Sequence, residues 1–201
     1  PYPFYLAYAL DSATEELGEP AEWLAERKWD GIRGQVIVRK GQIFVWSRGE
    51  ELVTDKYPEY QVMSGLLPDG TAIDGEIMPF KNNQPMTFNH LQTRIGRKAL
   101  SQKLLNDVPV VFIAYDVIEW HGEDIRQWPL SDRRKKLEEI CSVNSRVLRL
   151  SPEVVFDSWD QLAQERARSR EFLSEGIMLK RRNSIYRNGR RRGDWWKWKI
   201  D

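Results

Sequence analysis

Hydrophobic and polar positions change period several times along the chain, and each change predicts an element. Val36-Ile37-Val38 and Ile43-Phe44-Val45-Trp46, joined by Lys40-Gly41-Gln42, predict a hairpin. Pro58 to Leu67 predicts a helix with proline in its first turn, where the missing N–H costs nothing. Thr71 to Met78 predicts a strand, and Val108 to Glu119, the most apolar run, a central one. Asn89 to Ile95 and Ala99 to Asn106 predict short helices, Ser131 to Cys141 a helix N-capped by Ser131, and Trp159 to Leu173 another. Gly176 to Lys180 and Trp195 to Ile200 complete the set as strands, while residues 1 to 20 read as irregular, with Tyr2, Phe4, Tyr5 and Tyr8 available for packing. Helices and strands are mixed, and no repeat, low-complexity tract or Gly/Ser linker divides the chain. A single domain over residues 1–201 is expected.

Several predicted strands carry one charged residue in an otherwise core-like context. Glu76 lies in Asp74-Gly75-Glu76, Asp116 follows Tyr115, and Glu175 heads a strand with Lys180 at its far end. Lys197 and Lys199 share one face of the last strand by its period of two. A carboxylate in an apolar strand is expensive unless it has a partner. Acids and lysines recurring at strand edges point to one shared cleft.

Composition narrows the class. Charged residues at 30% and hydrophobic ones at 41% are ordinary for a soluble protein. No apolar run approaches the roughly 20 residues of a membrane helix, and no signal-peptide pattern opens the chain, so a cytoplasmic protein without a membrane partner is expected. Cys141 is the only cysteine, which excludes an internal disulfide and a four-cysteine zinc site; beside Leu137 and Ile140 it reads as a buried thiol. His90 and His121 lack metal-ligand spacing. The net charge of +1 hides an asymmetry: Lys180 to Lys199 holds nine basic residues against Asp194 alone, a local +8. With Tyr186, Trp195, Trp196 and Trp198 interleaved, that segment suits a polyanion whose bases or riboses can stack. Neither terminus reads as a natural chain end, and a longer parent is expected.

The stretch that raises a chemical question is Glu26 to Arg33, with Lys28-x-Asp30-Gly31-x-Arg33 inside it. Asp-Gly signals a turn, because glycine takes φ > 0 freely and aspartate bonds its own backbone. A lysine held at the mouth of a sheet suits a nucleophile; taken alone, such a string is more often just a charged turn. The chain has neither Gly-x-x-x-x-Gly-Lys-Ser/Thr nor Gly-x-Gly-x-x-Gly, so phosphate would be held by side chains.

Taken together, Lys28-x-Asp30-Gly31-x-Arg33, Ser47-Arg48-Gly49-Glu50, Asp74-Gly75-Glu76, Tyr115-Asp116, Glu175-Gly176-Ile177-Met178-Leu179-Lys180 and Trp195-x-Lys197-x-Lys199 resemble, in their order, the covalent nucleotidyltransferases. They look most like the adenylation domain of a bacterial-type ATP-dependent DNA ligase. His90-Leu91-Gln92-x-Arg94-Ile95-Gly96 and Pro129 to Arg134 add to the likeness, which covers about residues 26 to 199. The resemblance implies the α+β nucleotidyltransferase fold, with mostly antiparallel sheets, flanking helices and an ATP cleft between the sheets. It implies that Lys28 attacks the α-phosphate of ATP and carries AMP, with Lys197 and Lys199 holding that phosphate. A free lysine titrates near about 10.4, so loss of its proton must be assisted, and Arg33, Lys197 and Lys199 are the expected cationic neighbours. Glu175, with Asp30, would hold Mg²⁺ or Mn²⁺. Glu26 would read the adenine amino group, favouring ATP over GTP, while Tyr115 stacks on the base and Glu76 bonds the ribose. Arg48 would contact the nucleotide or the nick 5′-phosphate, and Lys180 and Arg191 occupy further nucleotide-binding positions. The implied partner is nicked double-stranded DNA, and the protein is expected to be a monomer. A ligase of this kind continues into an OB-fold domain, which nothing in these residues can form.

Three rival readings remain at this level. An RNA ligase would prefer RNA ends, and a capping enzyme would take GTP, which Glu26 disfavours. The third is an inactive nucleic-acid-binding module that uses only the basic aromatic segment. An NAD-dependent ligase fits poorly, because zinc-finger cysteines are absent and the chain ends in Trp-x-Lys-x-Lys.

Overall fold

Short apolar runs rich in β-branched and aromatic residues build the long strands of the computed structural model, which describes residues 1–201. The strands of five or more residues, in chain order, are β1 (Trp23–Trp29), β2 (Ile32–Arg39), β3 (Gln42–Ser47), β4 (Thr71–Lys81), β5 (Val110–Trp120), β6 (Ser174–Arg181) and β7 (Trp195–Lys199). The helices of eight or more are α1 (Phe88–Ile95), α2 (Leu130–Ile140) and α3 (Trp159–Ala167). Two compact units result, one from Asp30–Ile125 and Arg133–Leu150 with Pro1, the other from Tyr2–Trp29, Arg126–Asp132 and Ser151–Asp201.

The first unit is an eight-stranded sheet in the order Glu123–Asp124, β5, β4, β2, β3, Glu51–Leu52, with Leu148–Leu150 beside β5 and Gln84–Pro85 beside β4. The β2–β3 hairpin turns at Lys40 and Gly41 with φ of 51° and 73°, a positive pair that matches the twist of the strands. Pairing of Val36 with Ile73 and of Ile77 with Phe112 lines one face of the sheet with apolar side chains. All four are fully or almost fully buried, each burial contributing about 1.5–3 kcal/mol. Register shifts on either side of Asp74 bring it opposite Asp116, two buried acids that would repel if left alone. Each has its own arginine: Arg33 on Asp74 at 2.9 Å and Arg133 on Asp116 at 2.8 Å. Arg94, on the likeness-bearing α1, is also fully buried and grips Glu59 at 2.6 Å and the Val108 carbonyl at 2.9 Å.

The second unit is a four-stranded sheet in the order Tyr8–Ala9, β7, β6, β1, beside a two-stranded parallel pair of Tyr5–Leu6 with Gly189–Arg190. One face of the larger sheet packs Trp23, Ala25, Ile177, Leu179 and Trp196 against Trp159, Leu162 and Val154. No helix of the chain is long and apolar enough to cross a membrane.

Several expectations need correction. The N-terminal segment is not irregular, since Tyr5–Leu6 and Tyr8–Ala9 both join sheets and Tyr5 is buried against Trp195 at 4.2 Å. Ser131 lies inside α2, with its N–H donating to the Arg182 carbonyl, so it is not the cap. The helix expected over Trp159 to Leu173 ends at Ala167, followed by a 3-10 turn, Ser169–Phe172, and Leu173 at φ 53°. Pro58 to Leu67 likewise splits into a 3-10 turn and a short α-helix.

Candidate active site

The second unit gathers six of the predicted residues on one face of its sheet. Antiparallel register sets Glu26 opposite Met178 and Met178 opposite Lys197; one row along, Leu24, Lys180 and Trp195 align. These rows share a face, which β1, by its alternation, also gives to Lys28. Lys199, opposite Gly176, continues the Lys197 side of β7. The outer strands of such a three-strand span lie about 10 Å apart, within reach of inward-leaning lysines.

A β-bulge sets the key contact. Ser174 pairs with Trp29 and Ile177 with Arg27, so Glu175 and Gly176 together oppose the single residue Lys28. Strict alternation would turn Glu175 toward the apolar face with Ile177. The extra residue restores it to the Lys28 face, where its Oε2 accepts from Lys28 Nζ at 2.6 Å. Gly176 is required there, because at φ +140° a Cβ would lie 2.2 Å from the Trp198 carbonyl oxygen. Both partners keep contact with solvent, the lysine at 21% and the glutamate at 35% exposure. Next to them is a drier pair: Lys180 Nζ donates to Glu26 Oε1 at 2.8 Å, each 2% exposed, and lies 4.4 Å from the Trp195 ring centre. Lys197 is half-buried and Lys199 exposed.

In the first unit, Glu76 organises a smaller polar cluster. Its carboxylate accepts from the Gly31 N–H at 3.2 Å and from the Tyr115 hydroxyl at 3.3 Å. Gly31 is glycine for close approach rather than for positive φ: a Cβ would meet the Ile77 carbonyl at 2.4 Å. Asp30 is half-buried at the same bend. Arg33 pairs with Asp74 at 2.9 Å, and its guanidinium carbon lies 5.5 Å from the centre of the Tyr115 ring. Arg48 is exposed in the turn after β3. Arg191 is also exposed, donating to the Asn188 carbonyl at 3.1 Å.

The basic aromatic segment differs from its expected role. Trp195 is buried on Tyr5, Trp196 belongs to the apolar cluster and Trp198 packs against it, while Tyr186 is 2% exposed. These rings are core, not platforms for bases. Of the arginines there, Arg182 pairs with Glu153 at 2.6 Å and Arg192 with Asp11 at 2.7 Å. Sequence reasoning gave no partner to Arg27, Arg133 or Asp74, whose partners lie 138, 17 and 41 positions away. Alternation alone signals that Arg27 faces away from Lys28; nothing local names Glu165.

Chemically, an amine beside a carboxylate, with further amines on the same face, can attack a phosphoryl group and hold its charge. Comparison with known proteins decides the family. The profile described as ATP dependent DNA ligase domain matches residues 5–199. The chain belongs to that family. This ligase domain is 30% identical to a probable DNA ligase of Koribacter versatilis, covering 100% of the chain and 39% of that protein. It is 32% identical to a DNA ligase of Archaeoglobus fulgidus, covering 97% and 34%. The chain thus spans little more than a third of these curated relatives. Mycobacterial DNA ligase D complexed with ATP and MES superposes with a TM-score of 0.78 at 29% identity, covering 98% of the ligase domain and 60% of that chain. Chlorella virus DNA ligase-adenylate, at 19% identity and a TM-score of 0.71, shares the fold. The resemblance and the α+β nucleotidyltransferase fold expected from the sequence are borne out.

Proposed function

We propose that this ligase domain forms lysyl-AMP at Lys28, passes the AMP to the 5′-phosphate of a DNA nick, and supports displacement of AMP by the 3′-hydroxyl. The observation that carries this reading is the Lys28–Glu175 contact across the β6 bulge, with Lys197 and Lys199 on the same face. In the first step Lys28 Nζ, having given up a proton, forms a P–N bond to the α-phosphorus of ATP as the bond to pyrophosphate breaks. Lys197 and Lys199 neutralise charge developing on the α-phosphate oxygens. In the second step a 5′-phosphate oxygen of the nick displaces Lys28 from the phosphorus, leaving AMP joined to the DNA as a diphosphate. In the third the 3′-hydroxyl attacks the 5′-phosphate, AMP departs, and a phosphodiester remains.

Glu26, steadied by Lys180, is the adenine-reading carboxylate in this proposal, and it accepts from N6–H₂ where guanine would present a repelling oxygen. Tyr115 stacks on the base, Glu76 serves the ribose, and Arg33, Arg48 and Arg191 belong to the nucleotide and nick contacts. Mg²⁺ or Mn²⁺ is the proposed ion, and it supplies neutralisation of phosphate charge when bound. No three acidic, histidine or cysteine side chains gather into a cage. That suits an ion that keeps water and phosphate oxygens as most of its ligands, with Glu175, itself a third exposed, and Asp30 as the protein's carboxylates. The parent enzyme, acting as a monomer on nicked duplex DNA, supplies an OB-fold domain in cis. Arg187, Arg190 and Arg191, all exposed, give this chain a salt-sensitive grip on phosphates.

Incubation with ATP and Mg²⁺ followed by intact-mass measurement tests the first step. One AMP adduct on the wild type and none on Lys28→Ala supports the proposal; an adduct surviving in Lys28→Ala removes it. Labelling by GTP in place of ATP would redirect the reading to a capping-type enzyme.

A further inference from the structure

We propose that Arg27 is a positioning residue for lysyl-AMP formation, holding the segment that delivers Glu175 to Lys28. The inference rests on the reading of Lys28 as nucleophile, but its geometry stands apart from that reading. Residues 27 and 28 are neighbours on β1 and face opposite sides of the sheet. Arg27 is 8% exposed on the side away from Lys28. Its Nη1 donates to the Glu165 backbone carbonyl at 2.7 Å and its Nη2 to Glu165 Oε2 at 2.6 Å. Its guanidinium carbon lies 4.1 Å from the centre of the Phe172 ring.

Both anchors sit on the chain directly ahead of Glu175. Glu165 is near the end of α3, and Phe172 closes the following 3-10 turn. Leu173 then takes a left-handed φ of 53°, Ser174 pairs with Trp29, and Glu175 enters the bulge. A leucine holds that conformation only where its surroundings fix both sides. Ser174, through its Oγ on the Ser169 carbonyl at 3.3 Å, ties the far side back to the same turn. Arg27 therefore ties the last turn of α3 and the end of the 3-10 turn to the strand that bears Lys28, one residue from it. The charged groups facing Arg27 are Glu165, and through it Arg168, which bonds Glu165 at 3.3 Å and Glu171 at 3.0 Å. An apolar residue would satisfy the neighbouring cluster of Trp23, Ala25 and Ile177 without desolvating a guanidinium. Fixing the bidentate and stacked geometry is what an arginine adds.

The test uses the 201-residue chain and two readouts. One is the single-turnover rate of AMP adduct formation with ATP and Mg²⁺. The other, which needs no ATP, is the relative rate at which trace acetic anhydride labels Lys28, by peptide mapping. Arg27→Met is expected to slow adduct formation about tenfold to a hundredfold, the scale of a misplacement of about 1 Å, with the half-saturating ATP concentration unchanged. Arg27→Lys should recover part of that loss. Lys28 labelling should change in Arg27→Met in the same direction as in Glu175→Gln, and adding Arg27→Met to Glu175→Gln should change it little further. Additive effects on labelling, or an unchanged rate and unchanged labelling, overturn the proposal and leave Arg27 a stabilising residue only. If the wild type forms no adduct, lysyl-AMP formation falls, and the labelling cycle still decides whether Arg27 positions Glu175. Should Arg27→Met fail to fold, Arg27→Lys carries both readouts.

Discussion

In the eight-stranded sheet Asp74 and Asp116 are each met by an arginine, whereas on the polar face of the four-stranded sheet Glu26 and Glu175 are each met by a lysine. The contrast is chemical. Guanidinium stays charged and offers a rigid fork, which suits two acids forced into opposition at β4 and β5. An ammonium is a single point charge that can surrender its proton. Of the two lysine pairs, the dry one, Glu26–Lys180, is fully enclosed, and the one at Lys28 keeps an open side. The two opposed acids of the first unit are thus held by forks, while the proposed nucleophile, Lys28, is a cation that can lose its proton and keeps an open side.

The sharpest way to break this comparison is to exchange the cations. Lys28→Arg retains a positive partner for Glu175 yet cannot give up a proton, so the AMP adduct should vanish entirely in intact-mass measurement. Unfolding free energy should move by no more than about 1 kcal/mol, because the pair is partly solvated. An arginine variant that still accepts AMP would end the argument. The reverse operation belongs to the other sheet. Arg133→Met strands Asp116, where both partners are 0% exposed, and should cost about 3–5 kcal/mol in urea unfolding. Arg133→Lys, keeping charge but losing the fork, should cost less.

Backbone geometry gives a middle-sized effect. Gly176→Ala places a Cβ 2.2 Å from the Trp198 carbonyl at a φ that side chains avoid. A loss of about 1–3 kcal/mol is expected, together with slower adduct formation as the bulge opens. The last effect is alkaline. Burial pushes the Cys141 thiol and the Tyr57 phenol of the first unit up to about 12. Unfolded, these groups titrate near about 8.5 and 10. Above those values the unfolded chain has shed protons that the folded one retains, so stability falls as pH climbs toward 12 and is untouched below about pH 8. Urea midpoints at about pH 8 and about pH 10.5 should show the decline, and Cys141→Ala should make it shallower.

Much of the fold is legible because apolar runs and turn residues are local signals. The β2–β3 hairpin, β4, β5, β6 and β7 all follow from short apolar runs and from turn residues. Strand alternation could have assigned two of the three tryptophans correctly, since Trp196 and Trp198 fall on the face opposite Lys197 and Lys199. Composition pointed to stacking platforms, and packing against Tyr5 and the apolar cluster won. Lys28 with Glu175, and Lys180 with Glu26, were individually singled out, but their pairing across 147 and 154 positions was not readable. Register shifts decide it: no residue pattern states that Asp74 will oppose Asp116, or that Glu175 will change sides. Helix ends failed for a related reason, because nothing in Arg168-Ser169-Arg170 forbids another turn of helix. Tertiary ties to Arg27 accompany the break there instead.

The supernumerary residue in β6 also limits how this chemistry could be moved. Shortening that strand by one position would swing the carboxylate into grease and leave the amine facing bare peptide, with the letters of the motif intact. Anyone transplanting Glu-Gly opposite Lys-x-Asp-Gly onto a different sheet must therefore carry the irregularity along with the side chains, because parity, more than spelling, makes the pair.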